Sequence, residues 1–418
     1  MKNSRISIVS KRLSPAQGPY SYGVKAGDWV FTAGMVGIDK AGNVVGKTLG
    51  RPDIEAQARQ ALENVNSVLE ELGVSTTKVA KVKGYVTDLR YFDEYNTVYR
   101  EFFKSPYPAR ATNGKGLVRR DLVVEVDAIA TVSGAPIEVR SPKLADWKVP
   151  CAQGGTKVGD VFFSSGHFSR DGKGVLFARG DMKAQTEQAL DNLGAALEAA
   201  SFDFSDVIMI NVTVPDWYGL QKYNDTFAKY FREPFEARAT IQGNIEEEGI
   251  LIAFEAVASR GKKKITIESD PPGDRHLVVK KRDDTIYLPG LPGALAPHSQ
   301  GVQVNDLVFL CGQIGYDASG RLVGPSDIRA QTKKTMENHR LCLEALGGTM
   351  DDIVKTLVSI PDYRLLPAFN EEYAKFFTPP YPARATVVAG LAQERMVLEV
   401  EAIAILGASK NATVVTGP

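Results

Sequence analysis

One phrase occurs three times in this chain, and its spacing constrains the fold more than any other feature. The copies read PARATNGKGLVRRDLVVEVDAIA from Pro108, EARATIQGNIEEEGILIAFEAVA from Glu236 and PARATVVAGLAQERMVLEVEAIA from Pro382. Their shared arginines, Arg110, Arg238 and Arg384, are 128 and 146 residues apart. Such spacings have the size of a domain and are much longer than a solenoid repeat. The sequence therefore predicts three copies of one domain.

Other landmarks recur in the same order in each copy. An early strand reads VFTAGMVGID from Val30, VFFSSGHFSRDG from Val161 and VFLCGQIGYDASG from Val308. An amphipathic helix follows, then a β-branched run, then a second helix. The Arg-Ala-Thr phrase leads into a variable turn and a final alternating strand. Each copy is therefore predicted to run β, β, α, β, α, β.

Several short motifs of the first copy point to a known family. They are GPY at 18–20, the small pair Ala33-Gly34, Asn96 on the second helix, PAR ending at Arg110, and VEVDAIA from Val124. With these motifs the chain resembles the RidA family, also called YjgF, of enamine/imine deaminases. The resemblance implies an α/β (α+β) fold with three tandem RidA-like domains of chorismate-mutase-like βαβ units, at 1–139, 140–262 and 263–418. It also implies a pseudo-threefold barrel with helices outside and a cleft between each pair of neighbouring domains.

Composition limits the partners of this chain. A chain of 418 residues is too long for one hydrophobic core, and three domains fall in the normal size range. Lys plus Arg and Asp plus Glu both number 50, so no net basic field attracts a nucleic acid. The apolar stretches are strand-length, and the N-terminus lacks a signal-peptide core. We therefore expect a cytoplasmic protein that binds neither nucleic acid nor a membrane.

Motifs for metals and cofactors are missing from the sequence. The three cysteines have no zinc-type spacing, and neither HExxH nor CxxC occurs. No glycine-rich turn has the flanks of a phosphate loop or a dinucleotide fingerprint. The sequence predicts a site without metal or cofactor. Cys311 stands beside Gly312, at the position of Ala33 and Ser165, where we expect it to line a cleft mainly as a packing residue.

The three arginines are the first candidate site residues. A guanidinium binds a carboxylate through two parallel hydrogen bonds, which fixes the orientation of an α-imino or α-keto acid. A strand-start arginine that pairs with a neighbouring acid is the ordinary alternative. The resemblance implies that Arg110, Arg238 and Arg384 bind the substrate carboxylate. The Ala-Thr that follows would then place the backbone N–H of Thr112, Thr240 and Thr386 beside it.

An acid fifteen residues after the arginine is the second candidate. This position holds Glu125 in the first copy and Glu399 in the third, but Ala253 in the second. The resemblance implies that the glutamate orients or activates the water that attacks the imine carbon. That task needs a carboxylate within hydrogen-bond reach and a pKa near neutrality. The second copy is therefore predicted to have a degenerate site.

The remaining candidates come from other parts of each copy. Tyr20 of GPY is replaced by His298 in the third copy and by no aromatic residue in the second. Both a tyrosine hydroxyl and a histidine can hydrogen-bond a substrate nitrogen. The resemblance places a helix asparagine and a glycine in each cleft: Asn96, Asn224 and Asn370, with Gly34, Gly166 and Gly312.

Each cleft is expected to combine two domains. Tyr20 and Glu125 would then face either Arg384 or Arg238, and one cleft would receive Ala253 and no tyrosine. Fusion allows such divergence, because copies in one chain can differ while those of a homotrimer cannot. We expect a monomer that acts as a pseudo-trimer, with a dimer of such chains as the alternative.

The implied reaction is cofactor-free hydrolysis of an enamine or imine acid, such as 2-aminoacrylate or a 2-imino acid, to a keto acid and ammonia. Two alternatives remain open. The loops after the arginine lack the Leu-Pro common in the family, which favours a specialised biosynthetic enzyme with a larger substrate. The loss of one glutamate would also fit a non-catalytic protein that binds a small carboxylate.

Overall fold

A computed structural model describes residues 4–48, 50–146, 148–261, 264–269, 280–281 and 284–417. Its strands and helices form three similar units, which we number in chain order. Unit 1 comprises β1 Arg5–Val9, β2 Gly23–Ala26, β3 Trp29–Thr32, β4 Met35–Val36, α1 Ile54–Glu71, β5 Val79–Val86, α2 Phe92–Phe102, β6 Ala109–Gly114, β7 Gly116–Leu117 and β8 Val124–Thr131.

Units 2 and 3 repeat this order. Unit 2 comprises β9 Ile137–Val139, β10 Gly155–Val158, β11 Val161–Ser164, β12 His167–Phe168, α3 Met182–Ala199, β13 Val207–Val214, α4 Leu220–Phe227, β14 Ala237–Gln242, β15 Asn244–Ile245 and β16 Ala253–Ser259. Unit 3 comprises β17 Lys264–Ser269, β18 Lys280–Lys281, β19 Thr285–Leu288, β20 Gly301–Val304, β21 Leu307–Ile314, α5 Ile328–Ala345, β22 Ile353–Ile360, α6 Leu366–Tyr373, β23 Ala383–Val388, β24 Glu399–Ile405 and β25 Thr413–Thr416.

The three sheets have the same internal strand order. It is β6-β5-β8-β3-β2-β1 in unit 1, β14-β13-β16-β11-β10-β9 in unit 2 and β23-β22-β24-β21-β20-β17 in unit 3. Only the first pair of each series is parallel, and the second helix makes the crossover that parallel neighbours need. The predicted α/β class is confirmed. The Arg-Ala-Thr phrase, expected to lead into a turn, instead begins a strand of its own, because it pairs with the β-branched run.

The first helix of each unit carries a buried glutamine that fixes the strand of the candidate acid. Gln57 accepts a hydrogen bond from the backbone N–H of Val123 and donates to the carbonyl of Asp121, just before β8. Gln185 and Gln331 make the same pair of bonds before β16 and β24. A buried amide must satisfy both its donor and its acceptor, so this position sets the register of the loop.

The interfaces between units use one repeated contact. The backbone N–H groups of Ser21, Ala152 and Ser299 each donate to the carbonyl two residues before an arginine, at 3.0, 3.1 and 3.0 Å. The acceptors are Pro382, Pro108 and Glu236. Unit 1 therefore meets the arginine strand of unit 3, unit 2 meets that of unit 1, and unit 3 meets that of unit 2.

The described strands form three sheets, and their ladders do not close one barrel. The closed barrel expected from the sequence is therefore not seen. Short strands nevertheless cross between units: β7 of unit 1 pairs with β23, and β15 of unit 2 pairs with β6. One buried cluster holds Phe31, Phe163 and Phe309 from the three sheets. The sheets therefore share a core that the helices do not cover.

The joints between units are also strands. The predicted first boundary assigns Ile137–Val139 to the first domain, and this strand pairs with β10 of unit 2. The Pro-Pro-Gly turn of the second joint, at 271–273, lies outside the described residues. β25 pairs in parallel with β1, which joins the two ends of the chain. In the described part of the chain, no helix has the length and apolar character to cross a bilayer.

Candidate active site

Each arginine is held against aromatic rings of the second helix of its own unit. Arg110 lies over Tyr99 at 4.6 Å, Arg238 over Phe227 at 5.0 Å and Arg384 over Tyr373 at 5.2 Å, measured from the guanidinium carbon to the ring centroid. These rings follow the asparagine by three residues, so one helix face presents both groups. Burial leaves Nη1 of each arginine without a hydrogen-bond partner. Three buried guanidinium groups therefore present a free donor.

The cleft between units 1 and 3, which we call the 1–3 cleft, contains Tyr20, Gly34 and Glu125 of unit 1 with Arg384 of unit 3. The backbone N–H of Gly34 donates to the carbonyl of Arg384 at 3.0 Å. The Tyr20 ring centroid is 5.4 Å from the guanidinium carbon of Arg384. Nη2 of Arg384 donates to Oδ1 of Asn370 at 2.8 Å. The structure thus selects Arg384, one of the two possible partners, for the tyrosine and the glutamate of unit 1.

Glu125 lies at the centre of the 1–3 cleft. Its side chain packs on Gly34, where a Cβ would overlap Oε1. Oε1 also accepts a hydrogen bond from the backbone N–H of Thr386 at 3.3 Å, so this amide meets the acid rather than an open space. Burial and the neighbouring Asp127 raise the pKa of Glu125 to about 8, although Lys355 and Arg384 oppose the shift. A carboxyl with that pKa exchanges protons near neutrality.

The 2–3 cleft contains Arg238 and Asn224 of unit 2 with Glu399 of unit 3. Burial and the nearby Glu401 raise the pKa of Glu399 to about 8, against the effects of Lys115 and Arg238. A Cβ on Gly312 would overlap Oε1 of Glu399, as at the matching glycine of unit 1. Oε1 of Glu399 and Oδ1 of Asn224 both lack a hydrogen-bond partner. This cleft therefore repeats the buried acid and the arginine, with more of its polar atoms unengaged.

His298 takes the place of the tyrosine in the 2–3 cleft. Its Nδ1 lies 2.9 Å from the carbonyl of Ala296, so Nδ1 carries the hydrogen and donates it. Burial and the nearby Arg238 lower the pKa of His298 to about 3, so the ring is neutral. Nε2 is then an acceptor. The tyrosine of the 1–3 cleft has a hydroxyl that can donate, so the two clefts present different groups at this position.

Cys311 and Thr240 also line the 2–3 cleft. Sγ of Cys311 lies 3.3 Å from Nε2 of Gln313 and 3.8 Å from Oε1 of Gln300. Burial raises the pKa of Cys311 well above its ordinary value. A buried thiol of this kind is unreactive. The packing role expected from the sequence fits this environment.

The 1–2 cleft joins Arg110 of unit 1 to the altered face of unit 2. Nη2 of Arg110 donates to Oδ1 of Asn96 at 2.7 Å, and Gly166 donates its N–H to the carbonyl of Arg110 at 3.0 Å. Where the other clefts have a glutamate, a Cβ on Gly166 would meet nothing nearer than Ala111 Cβ at 3.6 Å. Ala253 lines this cleft, together with Thr112. The structure thus places the missing acid and the missing aromatic in one cleft.

Glu246 lines the 1–2 cleft from the loop after β15 and was not predicted as a site residue. Burial raises its pKa, while Arg170 and Arg110 oppose that shift. Its Oε1 lies 3.9 Å from Nη2 of Arg170, on the same unit. The position shows in the sequence only as a departure from the family's Leu-Pro.

A buried ionic group lies behind the clefts and was not predicted as a unit. Two residues beyond each candidate acid position, Asp127, Glu255 and Glu401 line one central cavity of about 60 Å³. Lys355 pairs with Asp127 at 3.3 Å, and Lys81 pairs with Glu255 at 2.8 Å. Since Asp127 and Glu401 raise the pKa of the neighbouring cleft acids, this group tunes the candidate site.

The described residues contain no cluster of three or more His, Cys, Asp or Glu side chains that could hold a metal ion. The clefts instead offer donors for a carboxylate and a titratable acid.

A family model described as Endoribonuclease L-PSP matches three stretches, at residues 10–132, 149–259 and 290–406. The chain belongs to this family. The three matches coincide with the three units, so the predicted tandem repeat is confirmed, and so is the predicted resemblance to RidA-type proteins.

Relatives align with one unit each. A RutC family protein of Pyrococcus horikoshii is 40% identical over 114 residues, which are 27% of this chain and 86% of that protein. A protein of Dermatophagoides farinae named 2-iminobutanoate/2-iminopropanoate deaminase is 33% identical over 121 residues, which are 29% of this chain and 94% of that protein. Each relative thus has about the length of one unit.

A solved structure extends the likeness beyond one unit. A chorismatase matches with a TM-score of 0.51 and 13% sequence identity, over 78% of this chain and 93% of its own. At that identity the match shows the fold alone. It shows that an arrangement of more than one such unit occurs in another protein.

Proposed function

We propose that this chain hydrolyses 2-imino acids and their enamine tautomers, such as 2-aminoacrylate, to 2-keto acids and ammonia without a cofactor. The observation that carries the proposal is the pairing, across two unit interfaces, of a buried arginine with a buried glutamate whose pKa is about 8. A relative named as an imine deaminase supports the same chemistry.

The proposed reaction divides between the two groups. Arg384 or Arg238 binds the substrate carboxylate and fixes the imine carbon near the glutamate. Ionised Glu125 or Glu399 takes a proton from water as its oxygen bonds to the imine carbon, and the C=N electron pair moves to nitrogen. The glutamate then returns the proton to nitrogen, which gives an amino alcohol. In a second transfer it takes the hydroxyl proton and passes it to the amino group, so that the C–N bond breaks and ammonia leaves as the carbonyl forms. A carboxyl that titrates near neutrality suits both transfers.

The 1–2 cleft is proposed to bind carboxylate without hydrolysis. Arg110 offers the same unpartnered Nη1, but Ala253 cannot exchange a proton. Thr112 and Asn96 remain in place beside the arginine. The proposal thus assigns binding to three clefts and water activation to two.

The proposal is tested with imines made in place by an L-amino-acid oxidase. The wild-type chain is expected to speed the decay of the imine, followed by semicarbazide trapping, with matching release of ammonia. No acceleration with any oxidase substrate, from alanine to phenylalanine, would contradict the proposed activity.

We also propose that one chain is a complete pseudo-threefold assembly in the cytoplasm. The same backbone contact at each of the three interfaces supports this, because each unit meets both others. Light scattering at micromolar concentration is expected to give the 45.4 kDa mass of one chain. A mass near three chains would contradict the proposal. A mass of two chains would contradict the monomer but would be compatible with the assembly of three units within each chain.

A further inference from the structure

The 2–3 cleft differs from the 1–2 cleft in size. Its cavity has a volume of about 220 Å³, against about 50 Å³ for the 1–2 cleft. Its walls come from both units, and the largest apolar members are Trp217, Leu220, Leu295, Ile314 and Met396. A cavity with apolar walls and a few polar groups is the usual form of a small-molecule site.

Three polar atoms of this cavity are buried and unpaired. Arg238 Nη1, Asn224 Oδ1 and Glu399 Oε1 are buried, line the cavity and lack hydrogen-bond partners. A buried polar atom without a partner is costly, on the order of 1–3 kcal/mol. A ligand with a carboxylate beside an imino group would accept from the guanidinium through the carboxylate and donate its imino N–H to Oδ1 of Asn224, whereas a keto acid would satisfy the guanidinium alone.

The cavity also has an exposed apolar side chain. Leu295 lines it and is 56% exposed. Trp217, across the interface, has an Nε1 without a hydrogen-bond partner. An apolar group bound between these two side chains would remove apolar surface from water. The cavity thus combines buried, unpaired polar atoms with an apolar side chain at the protein surface.

The 1–3 and 2–3 clefts differ in what lies against the arginine. Tyr20 stacks on Arg384, and a Cβ on Gly18 would lie 3.1 Å from Nη2 of Arg384. In the 2–3 cleft, His298 turns to the carbonyl of Ala296 in its own loop. The exchange of tyrosine for histidine therefore leaves space beside Arg238 for a substrate side chain.

We propose that the 2–3 cleft binds 2-imino acids and 2-keto acids whose side chain is long, apolar or aromatic. The carboxylate lies on Arg238, and the side chain lies between Trp217 and Leu295. Turnover of such an imino acid rests on the proposed function, whereas the binding of the keto acid does not.

The test is calorimetric binding of pyruvate, 4-methyl-2-oxopentanoate and phenylpyruvate to the full chain carrying Arg110→Lys and Arg384→Lys, which weaken the 1–2 and 1–3 clefts. We expect phenylpyruvate to bind at least about 10-fold more tightly than pyruvate, since each methylene in an apolar pocket is worth a factor of about 10 or more. Adding Leu295→Ala should weaken phenylpyruvate about 10-fold and leave pyruvate unchanged. Val9→Ala, at a valine that is 57% exposed on β1, is the matched control and should change neither.

Two results would overturn the inference. One is equal affinity for pyruvate and phenylpyruvate, and the other is phenylpyruvate binding that survives both Arg238→Lys and Leu295→Ala. The expected binding pattern without any ammonia release from the phenylalanine-derived imine would support this inference and contradict only the proposed hydrolysis.

Discussion

The 1–3 and 1–2 clefts differ mainly in what a glycine faces. In both, the backbone N–H of a glycine donates to the carbonyl of an arginine of the neighbouring unit at 3.0 Å. Gly34 lies against the carboxylate of Glu125, whereas Gly166 has open space where Ala253 stands. The 1–2 cleft therefore keeps the residues proposed to bind substrate and lacks the residue proposed to transfer the proton. These two sets of residues can vary independently, because they come from different units.

Substitution of the three arginines should give the largest differences in binding and turnover between the clefts. Lysine keeps the charge but cannot form the planar fork, so we expect Arg384→Lys and Arg238→Lys to lose about 2 to 5 kcal/mol of keto-acid binding in their own clefts. Arg110→Lys should lose binding in its own cleft but change turnover less than twofold. Calorimetry and the imine assay measure both quantities. Equal losses of turnover for the three variants would contradict the division between clefts.

The buried acids should lower stability at high pH. Because the folded pKa of Glu125 is about 8, against 4.5 ordinarily, the folded state holds this proton more tightly than the unfolded state. Its stabilisation is therefore complete below about pH 4.5 and is lost as pH rises to 8. Glu125→Gln removes this dependence. Relative to wild type, it should gain roughly 3 to 5 kcal/mol between pH 5 and pH 9, seen as a higher thermal midpoint.

Glu255→Gln is the matched control for the stability measurement. Burial would raise the pKa of Glu255, but Lys81 and Lys83 lower it to about 2. The folded chain therefore keeps Glu255 ionised above about pH 2, and its contribution to stability is lost only as pH falls from 4.5 to about 2. The difference between this variant and wild type should be nearly flat from pH 5 to pH 9. A Glu125→Gln difference as flat as that of this control would mean that Glu125 is ionised in the folded chain.

Restoring the missing acid should have the smallest effect. Ala253→Glu would place a carboxylate beside Gly166, where the structure has room for it. We expect no new turnover, because unit 2 also lacks the aromatic residue or histidine of the other units. The measurement is the imine assay in a chain that also carries Glu125→Gln and Glu399→Gln. Activity regained there would show that the acid alone separates the clefts.

The repeat made the units and their α/β class predictable, since each unit restates its elements in order. The positions of the candidate acids and arginines could also be predicted, because they recur at a fixed spacing in the repeated Arg-Ala-Thr segment. The pairing of Glu125 with Arg384 rather than Arg238 could not be predicted from the sequence. The order in which the units pack around one another depends on contacts between residues far apart in the chain. The separate strand of the Arg-Ala-Thr phrase was missed because its neighbour in the sheet comes from before the second helix.

The cavity of the 2–3 cleft was equally hidden from the sequence. Replacement of a tyrosine by His298 was visible, but the direction in which the ring turns depends on the carbonyl of Ala296. The unengaged state of Asn224 likewise appears only when the hydrogen bonds of the three clefts are compared. The residues of each cleft could be predicted from the sequence, whereas the shape of each cleft depends on side-chain packing that only the structure shows.

Two glutamates in two clefts are proposed to perform all water activation. The most direct test is turnover by the double variant Glu125→Gln, Glu399→Gln, with Glu101→Gln, an acid at the surface of α2, as control. We predict that the double variant folds, still binds pyruvate and phenylpyruvate, and loses about 100- to 10,000-fold in turnover of imines of both sizes. Each single variant should lose less, in a manner that depends on the substrate. Undiminished turnover by the double variant would mean that water is activated elsewhere, and it would contradict the proposed roles of Glu125 and Glu399.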